Sequence, residues 1–264
     1  MPLSYSQLQT YRRCPKQYEF GVVKKIGRPI SAGESFGSSM HNTLRRFGEL
    51  EMKLSGRHEP EKPLQLFVEE SVHDTQAELT LTTLLTMWRQ CFIAEGYGSR
   101  AEMDLMLQRG ERALTHFFRW WNERSRTVVC IEKSFKFAVL GTKDILAGRF
   151  DRIEKTDAGL HIIDFKSSNP RPPEALVTDL QLSVYALAAK GMWPEPVSQL
   201  TLLFVTEDGV IEQSTTRSEA ELQDALTHIR LLAERIDAKD YTATPSVEKC
   251  RQCPYRTICP FRAV

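Results

Sequence analysis

Six cysteines are too few, in a chain of 264 residues, to staple a disulfide scaffold. There is no run of the roughly 20 apolar residues that a membrane helix needs, and the opening MPLSYSQLQTYRRCP has no apolar core of a secretory signal. A cytoplasmic protein with reduced thiols is therefore expected. Excess charge is also missing: 35 basic residues face 34 acidic ones, which excludes a globally basic nucleic-acid binder but not a local basic patch. Neither an internal repeat nor a low-complexity stretch is present, and 41% hydrophobic with 26% charged residues excludes a disordered or collagenous chain. What the chain does have is unevenly placed. Of its cysteines, Cys250, Cys253 and Cys259 fall within the last fifteen residues, while Cys14, Cys91 and Cys130 are scattered.

The pattern changes character along the chain. Helical spacing covers 4–13, 35–50, 63–94 and 99–124, with the Gly96-Tyr97-Gly98 break between the last two. The first helix ends at Cys14-Pro15, because proline disfavours helix in the residue before it. Residues 127–139, 144–154 and 159–167 read as strands. Pro172-Pro173 opens a helix to about Lys190, and 197–206 with 209–216 make a hairpin around Asp208-Gly209. Ser218 and Glu221 form a capping box for a helix to about Ala238, and 241–264 is a cysteine-bearing loop.

Chemistry concentrates on two strands. Alternate residues of a strand share a face, so Asp164 and Lys166 point one way, Ile163 and Phe165 the other. If the preceding strand pairs with this one, Asp151 sits beside them, with Gly148 allowing close backbone approach. Two carboxylates at a sheet end make a hard-oxygen site suited to Mg²⁺ or Mn²⁺. A lysine beside them stabilises charge developing on phosphate, and the set supports metal-assisted phosphodiester hydrolysis. Alone, an Asp-x-Lys triplet is most simply a solvated ion pair, and the surrounding set is what changes the reading.

That set is ordered: Cys14, then His41 in Phe36-Gly37-Ser38-Ser39-Met40-His41, Gly148 and Asp151, Asp164-Phe165-Lys166, Gln181 and Tyr185, and finally Cys250, Cys253 and Cys259. It resembles the RecB-like branch of the PD-(D/E)XK nuclease superfamily. Within that branch it resembles in particular the iron–sulfur members, which include AddB-type recombination nucleases, CRISPR-associated adaptation nucleases and nuclease domains attached to UvrD-like helicases. The resemblance covers the chain from Leu3 to Cys259. It implies one α/β nuclease domain with a restriction-endonuclease-like core, a central mixed sheet flanked by helices. A helical insertion would cover about 51–125, the core about 126–238 and a cluster-binding segment 239–264, joined to Cys14. It implies that His41, Asp151, Asp164 and the Phe165 carbonyl hold a divalent metal, and that Lys166 is the catalytic lysine. Gln181 and Tyr185 would turn one helix face to the active site and the DNA backbone, although Tyr185 also reads as a core aromatic. Glu132 reads as a surface residue rather than an auxiliary acid.

Cys250-x-x-Cys253-x5-Cys259 supplies three thiolates, and Cys14 is the candidate fourth. Spacing leaves Zn²⁺ and a [4Fe–4S] cluster open. The resemblance implies the cluster, as a structural staple between the chain ends. Cys91 and Cys130 read as buried small hydrophobes. Residues 1–48 carry eight basic against two acidic residues, and the tail from Lys239 five against two, so a cluster joining them would form one basic face. Tyr11, Tyr18, Phe20, Tyr255 and Phe261 are candidates for base stacking there, with packing around the cluster the larger expectation. The expected activity is a Mg²⁺- or Mn²⁺-dependent deoxyribonuclease on single-stranded DNA or DNA ends, exonucleolytic action favoured, in repair or recombination. The alternatives are a CRISPR-adaptation-type nuclease, a non-catalytic accessory module of a partner or fused helicase, and a zinc-stabilised interaction domain.

Overall fold

The computed structural model describes residues 2–56, 78–139 and 141–263. The chain runs β1 (Leu3–Ser4), α1 (Tyr5–Arg13), α2 (Pro15–Tyr18), a π-helical turn (Glu19–Val23), α3 (Ala32–Leu54), α4 (Leu81–Cys91) and α5 (Arg100–Asn122). There follow β2 (Thr127–Ile131), β3 (Ser134–Ala138), β4 (Ile145–Arg149), β5 (Arg152–Thr156) and β6 (Gly159–Lys166). The last part is α6 (Glu174–Val177), α7 (Leu180–Met192), β7 (Val197–Thr206), β8 (Gly209–Thr215), α8 (Glu219–Asp237) and α9 (Val247–Arg251). Residues 63–77 of the expected helix over 63–94 lie outside the described segments.

Helices start where the sequence supplies caps. Ser4, Ser31 and Ser218 each close a capping box, with Gln7, Glu34 and Glu221 returning the bond. The expected helix from Pro172 to Lys190 is two helices. Asp179 is extended, and its Oδ1 accepts from the Leu182 N–H at 3.1 Å, so it ends one helix and caps the next.

The architecture is α/β with mixed sheets flanked by helices. The five-stranded sheet has the order β2-β5-β6-β7-β8, parallel only between β6 and β7, and a three-stranded sheet has the order β1-β4-β3. Side chains alternate across the larger sheet. Leu160, Ile162, Leu200, Leu202 and Phe204 pack with residues of α1, α7 and α8. Ile163, Phe165, Leu203 and Val205 pack with Phe36, Phe47, Trp88 and Phe117 of α3, α4 and α5.

Two expected strands are each broken. The run 127–139 divides at Glu132-Lys133 and 144–154 at Phe150-Asp151. The breaks face each other: Glu132 N–H donates to the Asp151 carbonyl (3.0 Å) and Phe150 N–H to that of Lys133 (2.9 Å). Glu132 has φ +53°, a left-handed conformation uncommon for a residue with a side chain. Together the breaks swing a long hairpin from the smaller sheet into the larger one, and Asp151 sits at the corner.

A buried charged network fastens α3 to β5. Arg152, 3% exposed, donates to Glu51 (2.7 and 3.2 Å) and to Glu154 (2.7 Å), and Arg126 pairs with Glu51 at 3.3 Å. Every charge in it has a partner, which is the condition for burying charge without a large penalty. The chain ends also meet. Tyr11 Oη donates to the Asp240 carbonyl (2.6 Å), Arg13 to that of Lys249 (3.3 Å) and Tyr255 Oη to that of Ile26 (3.2 Å). Among the described residues, no helix is long and apolar enough to cross a membrane.

Candidate active site

The site forms where β6 passes the corner that carries Asp151. Antiparallel pairing of Arg152 with Ile163 brings Asp151, one residue earlier, level with Asp164. The Asp151 Oδ2 accepts from the Phe165 N–H at 2.9 Å and lies 3.3 Å from His41 Nδ1, presented by α3. Asp164 and Lys166 share a face as expected and form an ion pair at 2.5 Å, while the Phe165 ring turns into the opposite core.

Gln181 and Tyr185, four apart on α7, both face this pair. Asp164 Oδ1 accepts from Tyr185 Oη (2.7 Å) and Gln181 Nε2 (2.9 Å), and Gln181 Oε1 accepts from Lys166 Nζ (3.0 Å). Their polar atoms are engaged with the carboxylate and the lysine. Tyr185 is a core aromatic at the same time, its ring 5.3 Å from Phe150 and 6.1 Å from Phe135. Gly148 makes room for a ring rather than for backbone: a Cβ there would lie 2.3 Å from Phe135 Cζ.

Glu132 is not the surface residue expected. Its side chain is 10% exposed and pairs with Arg149. One ligand atom each of His41, Glu132 and Asp151 lie within 4.8 Å of one another, so Glu132 joins two of the expected ligands in a potential metal-binding group among the described residues. No sequence signal marks Glu132, because β2 is bulged between Val128 and Cys130 and breaks at Glu132, so strand parity does not carry through to it.

The electrostatics suit a cation. Burial pushes the Asp151 carboxyl well above the ordinary range, and the neighbouring Asp164 charge adds to it. Burial also raises Glu132 and lowers His41, leaving a neutral imidazole with a lone pair to offer. Tyr185 is pushed far up by burial and then by Asp164, so its hydroxyl stays a donor. Asp164 Oδ2 and Glu132 Oε2 are buried with no hydrogen-bond partner, and only the ion pairs with Lys166 and Arg149 compensate them. Three carboxylates against these two cations, with a neutral imidazole, make a site short of positive charge. The donor set of hard oxygens and one imidazole fits a divalent ion. Beside His41 the surface opens into a cleft walled by Arg28, Asn42 and Arg149.

The four end cysteines line one small cavity between α1, α2 and the tail, which contains the short helix α9 rather than loop alone. Burial pushes the Cys253 thiol up, and Cys14, Cys259 and Cys250 nearby reinforce it. At Cys14 burial acts upward, but the amides of Thr244, Gln17 and Lys16 outweigh it and the thiol is lowered. Among the described residues no three of these sulfurs lie within 4.8 Å of one another. Cys130 is buried as expected. Cys91 is only half-buried, with its sulfur 3.6 Å from an Arg46 nitrogen. Tyr11, Tyr18, Phe20 and Tyr255 are buried, whereas Phe261 is 52% exposed beneath the Lys16 ammonium.

Comparison with known proteins agrees with this geometry. A family model described as the PD-(D/E)XK nuclease superfamily matches residues 2–260. The Gene 69 protein of Mycobacterium phage L5 is 23% identical over 98% of this chain and 97% of its own length. The Gene 69 protein of Mycobacterium phage D29 is 21% identical over the same shares. The crystal structure of SSO0001 aligns with 85% of this chain and 86% of its own at 16% identity, with a TM-score of 0.40, a likeness too low to carry an argument.

Proposed function

The chain belongs to the PD-(D/E)XK nuclease superfamily, and we propose that it is a divalent-metal-dependent deoxyribonuclease acting on single-stranded DNA or DNA ends. The observation that carries this reading is the Asp164–Lys166 pair wired to α7 and set beside Asp151 and His41. His41, Asp151 and Asp164 would hold the ion, with Glu132 as a further carboxylate. The bound Mg²⁺ or Mn²⁺ would supply Lewis acidity toward a phosphate oxygen and lower the pKa of water. Lys166 keeps its ammonium directed at the site through Gln181 and stabilises charge developing on phosphate. Gln181 and Tyr185 fix the Asp164 carboxylate through Oδ1, which leaves Oδ2 facing the Lys166 ammonium and the site. The decisive experiment is a time course on end-labelled single- and double-stranded DNA with Mg²⁺ and Mn²⁺. Cleavage that ceases in Asp151→Ala and Lys166→Ala supports the reading, and undiminished cleavage by the Asp151 variant overturns it.

The four end cysteines we assign to a [4Fe–4S] cluster. Four thiolates suit either tetrahedral zinc or the cluster, and the resemblance to the iron–sulfur branch is what supports the cluster. Iron and sulfide analysis with visible absorbance of anaerobically purified protein tests this assignment. Stoichiometric zinc in their place rejects it.

A further inference from the structure

Several cations have no carboxylate partner among the described residues, and some of them gather in one concavity. A cleft of about 670 Å³ is walled by Arg12 and Arg13 at the end of α1, Arg171 after β6, and Lys249 in α9. Arg171 pairs with Asp179 at 2.8 Å. Arg13 donates only to neutral oxygens, those of Lys249 and Gln252. Arg12 is exposed, and neither it nor Lys249 has an acidic partner among the described residues. Unneutralised cations gathered in a concavity, rather than spread over a convex surface, call for an anionic ligand with several charges.

The position of the cleft says which. Gln17 and Lys249 line both it and the cysteine cavity. Its lining also includes Tyr5 and, at the start of α7, Asp179 and Leu180. The cleft thus lies between the thiol cavity and the first turn of the helix whose Gln181 and Tyr185 hold Asp164. We propose that it is the track of a single-stranded polynucleotide, gripped through its phosphates by Arg12, Arg13, Arg171 and Lys249 as it approaches Asp164 and Lys166. The neighbouring aromatics Tyr11 and Tyr18 are buried, so the grip is ionic and independent of base sequence. The proposal rests on the nuclease reading for its substrate.

The test is binding without cleavage. Full-length protein, purified anaerobically and held in EDTA, is titrated into a short fluorescent oligothymidylate across a salt series. Arg12→Ala with Lys249→Ala is compared with Lys53→Ala with Arg119→Ala, exposed cations on the helical layer. The cleft pair should weaken binding on the order of tenfold at about 0.1 M salt and flatten the log–log salt slope by about 1.4, two single-strand phosphate contacts. The control pair should change neither. An unchanged affinity and slope in the cleft pair, an equal loss in the control pair, or tighter binding of a blunt duplex than of the single strand overturns the track. The two readings fail separately. Cleavage that persists in Lys166→Ala rejects the catalytic assignment and leaves the binding data standing. Unaltered binding by a cleft pair whose cleavage still depends on Asp151 rejects the track alone.

Discussion

The acid–lysine site and the cysteine cavity are built on opposite plans. At the acid–lysine end each functional group is already held by protein. Asp164 accepts from Tyr185 and Gln181, Asp151 accepts from the Phe165 amide, and Lys166 donates to Gln181. At the cysteine end the four thiols share a cavity but are not tied to one another, and around them the chain ends touch through a few bonds such as those of Arg13 and Tyr255. One site is preorganised by the fold. The other, holding the proposed cluster, would help to make the fold, because that cluster would join residue 14 to residue 250. Loss of the ligand should therefore cost catalysis at the first end and stability at the second.

The sharpest test of that contrast is Lys166→Ala. Removing a preorganised charge at the reacting centre is expected to lower Mn²⁺-dependent cleavage by about 10²- to 10⁴-fold. Far-UV circular dichroism should stay native, and a collapse of the fold would erase the distinction. Next in size is Cys253→Ser. Opening a closure that spans nearly the whole chain should remove about 3–5 kcal/mol of stability by analogy with a long disulfide loop, read as a lower denaturation midpoint. A midpoint equal to that of the parent would mean that the thiols staple nothing. Glu132→Gln comes third: if Glu132 helps to hold the ion, Mn²⁺ affinity by calorimetry should fall about 10- to 100-fold while stability barely moves. Equal affinity would return Glu132 to the role of a partner for Arg149.

The smallest effect concerns Asp151 in the metal-free protein. Its folded pKa is raised, so its favourable contribution is fully present below the unfolded value, near 3.9, and is lost as pH rises through the folded one. Asp151→Asn in EDTA should therefore match the parent at low pH and melt a few degrees higher at neutral pH. A variant less stable at neutral pH would mean that the carboxylate is structural there, as the thiols are.

Much of this site was legible because it obeys local periodicity. Asp164 and Lys166 are two apart on a strand, Gln181 and Tyr185 four apart on a helix, and Ser218 caps as its spacing with Glu221 requires. What was not legible depends on non-local pairing. The chain crosses from one sheet to the other at Phe150-Asp151 with neither proline nor glycine to mark the step. That crossing exists because the opposite strand breaks at Glu132-Lys133, and no window containing only one of the breaks reveals it. The burial of Glu132 follows from the same corner. The division between α6 and α7 was readable in principle, since Asp179 is a good N-cap, but the apolar run through Leu180 and Leu182 hid it.

Gly148 sets a tolerance that reaches further than its own contacts. A methyl group there would press on the Phe135 ring, whose other neighbours include Phe150 and Tyr185, and Tyr185 carries the hydroxyl that orients Asp164. Volume at one backbone position is in this way converted into the aim of a carboxylate on a different strand. The smallest side chain in the neighbourhood acts as the shim that keeps the site in adjustment.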